Sequence, residues 1–441
     1  MSEYSPPSSE TDFDKNFSQI KPLMSETQAY YESSRCLFCY DAPCVNACPT
    51  GIDIPTFIRQ INTKNEIGAA KTIYDSNYFG YACGKVCPTE VLCEGACVYT
   101  NQNVKPIEIG RLQSFATSKA MDAGKKLYLL AKPNGKKVAI IGAGPAGISC
   151  ACELRLSGFE VDVYEAKSKP SGLTVYGVAP YKITNKEALD EMIFLEKQFG
   201  YKVLYNTPIK NKSEIEMLEK KYDTVFIGIG LGPTSVLKIN GENLENCFGA
   251  VEFVEKLRMN HHTVKVPKKV IVLGGGNTAM DAASESSRMG AEEVILAYRR
   301  SKENMGAYDF EYDLAKGVGV KGMFNISPLE IIGNGKVSGV KFIRTKESGD
   351  KLENIPGSEF TIDCDWVIKA TGQSKQTELL SLINGLKTDN KGRITVNEKF
   401  QTTNPKYFAA GDSVSGGQEV VNAAADGKKA AKAIAEILIN K

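Results

Sequence analysis

Eight of the twelve cysteines in the chain lie in two short runs near its N-terminus. The first run, CLFCYDAPCVNACP, has the spacing C-x2-C-x4-C-x3-C, and the second, YACGKVCPTEVLCEGACV, has the spacing C-x3-C-x5-C-x3-C. In chain order the eight are Cys36, Cys39, Cys44, Cys48, Cys83, Cys87, Cys93 and Cys97. Runs of thiolates at such spacings bind 4Fe-4S clusters, and at four ligands per cluster the eight positions suffice for two.

Zinc and inert buried thiols are the alternatives to iron-sulfur clusters. Structural zinc sites usually combine short cysteine pairs, often with histidine. The only histidines, His261 and His262, lie far along the chain, in a loop where we expect them to be solvated. Pro49 and Pro88 each follow a cysteine, as proline does in bacterial ferredoxin runs. We therefore expect two 4Fe-4S clusters, whose ligands can come from both runs.

Charge and composition exclude several other classes of protein. The chain has 441 residues, 54 of them basic and 52 acidic, so its net charge of +2 creates no strong field that attracts nucleic acid or an anionic membrane. The first residues lack the basic and apolar regions of a secretory signal. No apolar run approaches the roughly 18 residues of a membrane span. We therefore expect a cytoplasmic protein with no nucleic-acid or membrane partner. Cytosolic thiols stay reduced, so dense cysteines there indicate metal ligands more often than disulfides.

The segments around the cysteines have the periodicity of helices. Ser25 and Gln28 have the spacing of a capping box. The stretch IPTFIRQINTKNEIGAAKTIYDS repeats apolar residues three and four positions apart. Residues 1–130 are thus predicted to form a small helical domain that binds both clusters.

A dinucleotide fingerprint lies in KVAIIGAGPAGISCACELRLSGFEVDVYEAK. A short apolar strand leads into a G-x-G-x-x-G turn, which is followed by a helix and by a second strand that ends in an acid. Glycines there allow a tight turn and a close approach to pyrophosphate, and the acid bonds a ribose. The predicted contacts are Gly142, Gly144, Pro145, Ala146, Gly147 and Glu165.

A second fingerprint lies in KKVIVLGGGNTAMDAASESSRMGAEEVILAYRR. Its second strand ends in two arginines where the first has an acid, and arginines there can pair with the 2′-phosphate of NADP. An exposed basic turn is the other interpretation. The sequence predicts NADPH as the favoured cofactor without excluding NADH. The predicted contacts are Gly274, Gly276, Asn277, Thr278, Ala279, Arg299 and Arg300.

The acid of the first fingerprint favours FAD there, and the tail of the chain supports this interpretation. A strand in KYFAAGDSVSGGQ delivers Gly411 and Asp412 to a helix start, where a carboxylate can bond the ribityl chain and backbone amides can face the flavin. An ordinary helix cap is the alternative. The predicted FAD domain is split into 131–265 and 366–441, with a NAD(P) domain inserted at 266–365.

This order of parts resembles the electron-input modules of dihydropyrimidine dehydrogenase and of the glutamate synthase small subunit, over nearly the whole chain. The resemblance implies an α/β fold class with two Rossmann-like domains. These are a glutathione-reductase-like FAD fold and an inserted NAD(P) fold, preceded by the helical iron-sulfur domain. It also implies that Gly172 and Leu173 line the flavin, although YGVAPYKI after them departs from the family's pattern. The five residues between cysteines in CPTEVLC, where glutamate synthase has three, and the continuation PIEIGRLQSFATS favour the dehydrogenase.

The resemblance to the dehydrogenase implies that the two cysteine runs share their ligands between the clusters. One cluster is expected to bind Cys36, Cys39, Cys44 and Cys97. The other is expected to bind Cys48, Cys87, Cys93 and the side-chain amide of Gln113. Cys83 is then a bystander, whereas counting thiols alone makes Cys83 the ligand and Gln113 a surface residue.

Hydride transfer between nicotinamide and flavin needs few protein groups, and no catalytic residue is predicted. The cysteine region is interpreted as the path by which electrons leave FAD. No substrate domain is recognised in the sequence, so we expect a hetero-oligomer with a dihydropyrimidine dehydrogenase catalytic subunit that carries FMN and iron-sulfur clusters. Together they would reduce uracil or thymine to the 5,6-dihydro form, or run the reverse. A glutamate synthase small subunit, a stand-alone diaphorase or ferredoxin reductase, and a purely structural role for the clusters are the competing hypotheses.

Overall fold

The structure, a computed structural model, describes residues 3–349 and 351–439. Its α-helices are α1 Glu10–Asn16, α2 Glu26–Ser34, α3 Pro43–Asn46, α4 Ile54–Asn62, α5 Glu66–Ser76, α6 Gly80–Val86, α7 Ile109–Asp122, α8 Pro145–Leu156, α9 Leu173–Tyr176, α10 Asn185–Phe199, α11 Lys212–Lys221, α12 Ala250–Asn260, α13 Asn277–Arg288, α14 Asp309–Gly317, α15 Thr377–Ser381, α16 Asp412–Ser415 and α17 Val420–Ile439. Its strands are β1 Lys137–Ile141, β2 Glu160–Tyr164, β3 Lys202–Leu204, β4 Thr224–Ile227, β5 Cys247–Gly249, β6 Lys269–Leu273, β7 Glu293–Ala297, β8 Lys321–Met323, β9 Ile326–Asn334, β10 Lys336–Ser348, β11 Lys351–Asn354, β12 Phe360–Asp363, β13 Trp366–Lys369 and β14 Tyr407–Ala409.

The chain divides into two compact units. One comprises Ile20–Val175, Lys182–Leu231 and the residues from Lys375 onward, so it contains both cysteine runs and the first fingerprint. The other comprises the residues up to Gln19, Tyr176–Tyr181 and Gly232–Ser374, and it contains the second fingerprint.

The cysteine runs lie in a helical region of the first unit. The capping box predicted at Ser25 and Gln28 is present at the start of α2. In α4 the buried side chains recur at the spacing of one helix face, because Ile54, Phe57 and Ile61 are three and four residues apart. They join side chains of α5 and α7 in one apolar core. This core supports the loops that carry the cysteines.

The first unit also contains a five-stranded sheet in the order β14-β4-β1-β2-β3. All of its strand pairs are parallel. Strand β14 comes from the tail of the chain and pairs with β4, so the tail completes the sheet that begins at the first fingerprint. Helix α8 follows β1 directly and packs against α17.

The second unit contains a parallel sheet in the order β5-β13-β6-β7-β8 and a separate antiparallel sheet of β9 to β12. The predicted class, α/β with two parallel nucleotide-binding sheets after a helical region, is confirmed. Strand β5 pairs with β13 and so belongs to this sheet, although β5 lies before residue 266, where the NAD(P) domain was predicted to begin. None of the described helices combines the length and the apolarity needed to cross a membrane.

Candidate functional site

Four of the cysteines line a single pocket in the helical region. Cys36 and Cys39 lie in the loop after α2, Cys44 lies in α3, and Cys97 lies in the turns before α7. Most of the other lining side chains are apolar, among them Ile58 of α4. These four cysteines are the set that the resemblance assigned to one cluster, and the structure brings them together.

The donor set of this pocket fits an iron-sulfur cluster. Burial, with smaller contributions from the neighbouring thiols of Cys36 and Cys97, raises the pKa of Cys44 to about 12. Burial also raises the pKa of Cys36. Because a nearby cation favours the thiolate form, iron would offset this cost. No group of three or more Cys, His, Asp or Glu side chains in residues 3–349 or 351–439 is set to hold a single metal ion; in a 4Fe-4S cluster each thiolate binds its own iron atom.

A second group of thiols lies around the end of α6. A hydrogen bond with Cys83 and burial raise the pKa of Cys87, and Cys48 adds to the shift. Burial raises the pKa of Cys93, with smaller contributions from Glu94, Cys87 and Cys48. Cys48, Cys87 and Cys93 thus share one neighbourhood, as the second predicted ligand set requires.

Gln113 lies in α7, which packs along α6. Its side chain is buried, and its Nε2 donates a 2.6 Å hydrogen bond to the carbonyl oxygen of Gly80 in α6. Because this bond engages the amide nitrogen, Oε1 is the atom that is left to bind a metal. The competing ligand, Cys83, is buried in α6 one turn before Cys87. Cys83 thus lies in α6 and Gln113 contacts α6 from α7, and the choice between them stays a prediction.

Helix α10 of the first nucleotide fold holds the start of α6. Glu191 of α10 is fully buried and accepts hydrogen bonds from the backbone N–H of Tyr81 (2.6 Å) and of Ala82 (3.0 Å). The hydroxyl of Tyr74 donates a third bond of 3.3 Å. Burial raises the pKa of Glu191 to about 8. Sequence reasoning missed this residue, since only its burial distinguishes it from the other acids of the helix.

A second acid of α10 strengthens this attachment. Glu187 lies 3.1 Å from Nζ of the buried Lys85, and it accepts a 2.7 Å hydrogen bond from the hydroxyl of Tyr81. It also completes a capping box with Thr184 at the start of α10. The T-x-x-E spacing could have predicted the helix start, but it carries no signal for the ion pair with Lys85.

The first glycine-rich turn has the tight geometry that dinucleotide binding requires. Gly142 has φ +102°, and a Cβ there would lie 2.5 Å from the carbonyl oxygen of Gly228. A Cβ on Gly147 would collide with the carbonyl oxygen of Gly142. Both positions therefore require glycine, as predicted from the fingerprint.

The start of α8 is open to a ligand. Gly144 caps the helix, Pro145 is its first residue, and Ala146 follows in the first turn. A Cβ on Gly144 would meet only the Cα of Gly172, at 3.9 Å, so a phosphate can approach the backbone amides. Gly172 is thereby placed at the turn, whereas Leu173, at the start of α9, is 39% exposed.

Glu165 lies at the end of β2 beside the first turn. Its Oε2 accepts a 2.7 Å hydrogen bond from the N–H of Ala143, and its Oε1 accepts one of 2.8 Å from the N–H of Lys167. A carboxylate has about four acceptor positions, so two remain for a ribose hydroxyl. The role of Glu165 toward the ribose stays a prediction.

The tail turn lies against the same helix start. Gly411 has φ +73°, and a Cβ there would lie 3.0 Å from the Cβ of Ala146. Asp412 begins α16, and its Oδ1 accepts a 3.0 Å hydrogen bond from the N–H of Gln418. Burial raises the pKa of Asp412. The two segments predicted to hold FAD therefore meet in the fold.

The second glycine-rich turn is built in the same way. Gly274 has φ +150°, and a Cβ there would collide with the carbonyl oxygen of Ala370. Gly276 caps α13, and a Cβ on it would meet nothing within 4 Å. Asn277 accepts a 3.1 Å hydrogen bond from the N–H of Tyr308. The next two positions, Thr278 and Ala279, are exposed and buried respectively.

The two arginines after β7 differ in their surroundings. Arg299 is exposed. The guanidinium of Arg300 lies 3.5 Å from the carboxylate of Glu347, at the end of β10. Sequence reasoning treated the two arginines as equivalent, because Glu347 is distant in the sequence.

Two family models match the chain. Residues 136–427 match the family described as pyridine nucleotide-disulphide oxidoreductase. The chain belongs to this family. Residues 13–125 match the domain described as dihydropyrimidine dehydrogenase domain II, 4Fe-4S cluster. The protein is therefore an NAD(P)-dependent oxidoreductase that carries FAD and 4Fe-4S. The predictions of FAD, of a nicotinamide cofactor and of 4Fe-4S are confirmed.

The chain is similar to curated relatives of two kinds, glutamate synthase small chains and dihydropyrimidine dehydrogenase subunits. Both kinds were expected from the sequence. The glutamate synthase [NADPH] small chain of Escherichia coli K12 is 35% identical, over 95% of this chain and 93% of its own. The NAD-dependent dihydropyrimidine dehydrogenase subunit PreT of the same strain is 33% identical, over 94% of this chain and 96% of its own. FprA of Mycobacterium tuberculosis in complex with NADPH shares the fold, with a TM-score of 0.59 at 19% identity over 70% of this chain and 85% of that chain.

Proposed function

We propose that this chain is the electron-input subunit of a cytoplasmic pyrimidine reductase. Bound NADPH would supply hydride to FAD, the 4Fe-4S clusters would carry single electrons onward, and FMN in a partner subunit would reduce uracil or thymine to the 5,6-dihydro form. The observation that carries the proposal is the pocket lined by Cys36, Cys39, Cys44 and Cys97, which lies in the same compact unit as the FAD fold.

The residues of the chain would bind and position these groups. The turn at Gly142 and Gly144, with Asp412 from the tail, would hold FAD, and the turn at Gly276 would hold the pyrophosphate of NADPH. The exposed Arg299 favours NADPH over NADH, because a guanidinium pairs well with a 2′-phosphate.

The second cluster would lie at the end of α6. Its ligands in this proposal are Cys48, Cys87, Cys93 and Gln113. The carbonyl of Gly80 fixes the orientation of the Gln113 amide, and this supports Gln113 as the fourth ligand. Glu187 and the buried Glu191 would hold α6, and with it this cluster, on the FAD fold.

Three observations support the pyrimidine reductase. The helical region matches domain II of dihydropyrimidine dehydrogenase over residues 13–125. Five residues separate Cys87 from Cys93, which is the longer spacing of that family. Relatives named as subunits of the dehydrogenase cover the chain almost completely.

The second candidate is the small subunit of a glutamate synthase, which passes electrons to a large amidotransferase subunit. The relative that favours it is 35% identical to this chain, slightly more than the dehydrogenase subunit at 33%. This candidate keeps every cofactor and changes only the electron acceptor.

The test is to purify the complex anaerobically from its own host and to follow NADPH oxidation with each substrate. Oxidation that depends on uracil or thymine supports the pyrimidine reductase. Oxidation that depends on 2-oxoglutarate and glutamine supports the glutamate synthase, and the pyrimidine proposal is then wrong. Ferricyanide serves as the control acceptor, since it reports that the chain oxidises NADPH whatever its partner.

A further inference from the structure

The loop after β7 is tied to the antiparallel sheet of its own unit. The hydroxyl of Thr345 in β10 donates a 2.7 Å hydrogen bond to the carbonyl oxygen of Arg299. The N–H of Asn325 donates one of 3.0 Å to the carbonyl oxygen of Arg300. The N–H of Thr345 in turn donates to Asn325, at 2.9 Å. The backbone of both arginines is fixed, so mainly their side chains can adjust to a ligand.

Strand β10 also places a carboxylate beside Arg300. Glu347 Oε1 lies 3.5 Å from Arg300 Nη1, and Glu347 Oε2 accepts a 2.6 Å hydrogen bond from Asn304 Nδ2. The side chains of Arg300 and Glu347 are 29% and 17% exposed, so water screens the pair only in part. Arg299 is exposed and adjacent in the chain.

We infer that Glu347 determines how strongly the site favours NADPH over NADH, an inference that rests on the proposed oxidation of NAD(P)H. A 2′-phosphate that approaches Arg300 also approaches the carboxylate of Glu347. Because both groups are negatively charged, they repel each other. The exposed Arg299 can instead pair with the phosphate through two parallel hydrogen bonds. Arg299 therefore supplies the preference for phosphate.

The same carboxylate suits the cofactor without a phosphate. An acid near this position can accept a hydrogen bond from a free 2′-hydroxyl. Glu347 thus weakens the binding of NADPH and supports that of NADH. Removing its charge leaves the fixed backbone in place and releases the charge of Arg300 for the phosphate.

The experiment compares variants of the full chain with FAD bound, by kcat/KM for NADPH and for NADH with ferricyanide as acceptor. Glu347→Gln should raise the ratio of the NADPH value to the NADH value about three- to tenfold, the size expected of one net hydrogen bond. Arg299→Ala should lower the NADPH value about tenfold and change the NADH value little. Glu353→Gln, the same change at an exposed position of β11 in the same hairpin, should leave the ratio unaltered.

Two results would overturn the inference. If Glu347→Gln leaves the ratio of the NADPH value to the NADH value unchanged, the carboxylate does not affect the binding of the cofactor. An equal loss with both cofactors would show that Glu347 only fixes the loop. If Glu347→Gln does not fold, Glu347→Ala also removes the charge and should raise the ratio in the same way. A wild-type chain that oxidises neither cofactor refutes the proposed function itself, which separates the two failures.

Discussion

Glu191→Gln is predicted to remove a pH-dependent loss of stability. The carboxyl group is fully buried, and burial raises its pKa from 4.5 to about 8 in the folded protein. The unfolded chain exposes the group and restores its ordinary pKa. Between these two pH values the folded state holds a proton that the unfolded state has released. The free energy of unfolding of the wild type therefore falls as the pH rises through this window.

The magnitude follows from the two pKa values. One pH unit is worth about 1.4 kcal/mol for a group that is protonated only in the folded state. Between about pH 5.5 and pH 8.5 the wild type should thus lose about 3 kcal/mol of unfolding free energy through Glu191. Glutamine does not titrate, and its one oxygen can still accept from the N–H of Tyr81 or Ala82. The variant should be the less stable protein at low pH and should lose this disadvantage at high pH.

The assay is urea unfolding of the anaerobic holoprotein at both pH values, followed by far-UV circular dichroism. The difference between wild type and Glu191→Gln cancels the other titrating groups and should change by about 3 kcal/mol between the two conditions. Glu196→Gln is the same substitution at an exposed position of α10. Its free energy of unfolding should equal that of the wild type at both pH values. An equal difference at both pH values would refute the reasoning, because it would mean that Glu191 has an ordinary pKa in the folded protein.

Two further predictions concern the cofactor sites. Cys83→Ser should retain the iron and acid-labile sulfide of both clusters, whereas Gln113→Ala should lose the iron of one cluster; the reverse pattern would make Cys83 the ligand. Gly276→Ala should fold with FAD bound, because a Cβ there meets nothing within 4 Å, but its KM for NADPH should rise about tenfold to a hundredfold, since the methyl group keeps pyrophosphate from the backbone. Gly317→Ala, equally open in α14, should leave that KM unchanged, and an unchanged KM in Gly276→Ala would mean that NADPH binds elsewhere.

Features that depend on local backbone geometry could be predicted from the sequence. Gly142 and Gly274 have the positive φ values that a tight strand-to-helix turn requires, and this requirement appears as glycine at fixed spacing. The pocket of Cys36 and Cys44 also followed from spacing, but the inclusion of Cys97 needed the resemblance to a known family. Local periodicity does not indicate which cysteine of the second run lies with the cysteines of the first run in one pocket.

Features that depend on contacts between distant segments could not be predicted. The charge of Glu191 is unremarkable in the sequence of α10, and only packing against α6 buries it. His261 was expected to be solvated, and that expectation is wrong: its ring stacks on Phe13 at 3.9 Å and its Nε2 lies 2.9 Å from Glu10. The partner helix α1 lies about 250 positions earlier in the chain, and no short-range pattern records such a pairing.

We propose that electrons pass from NADPH through FAD to the 4Fe-4S clusters within this one chain. The most direct measurement is an anaerobic titration of the purified chain with NADPH, followed by visible absorbance and electron paramagnetic resonance. We predict that the signal of reduced 4Fe-4S clusters develops as the flavin absorbance bleaches. Clusters that stay oxidised under excess NADPH, while the flavin bleaches, would contradict the claim.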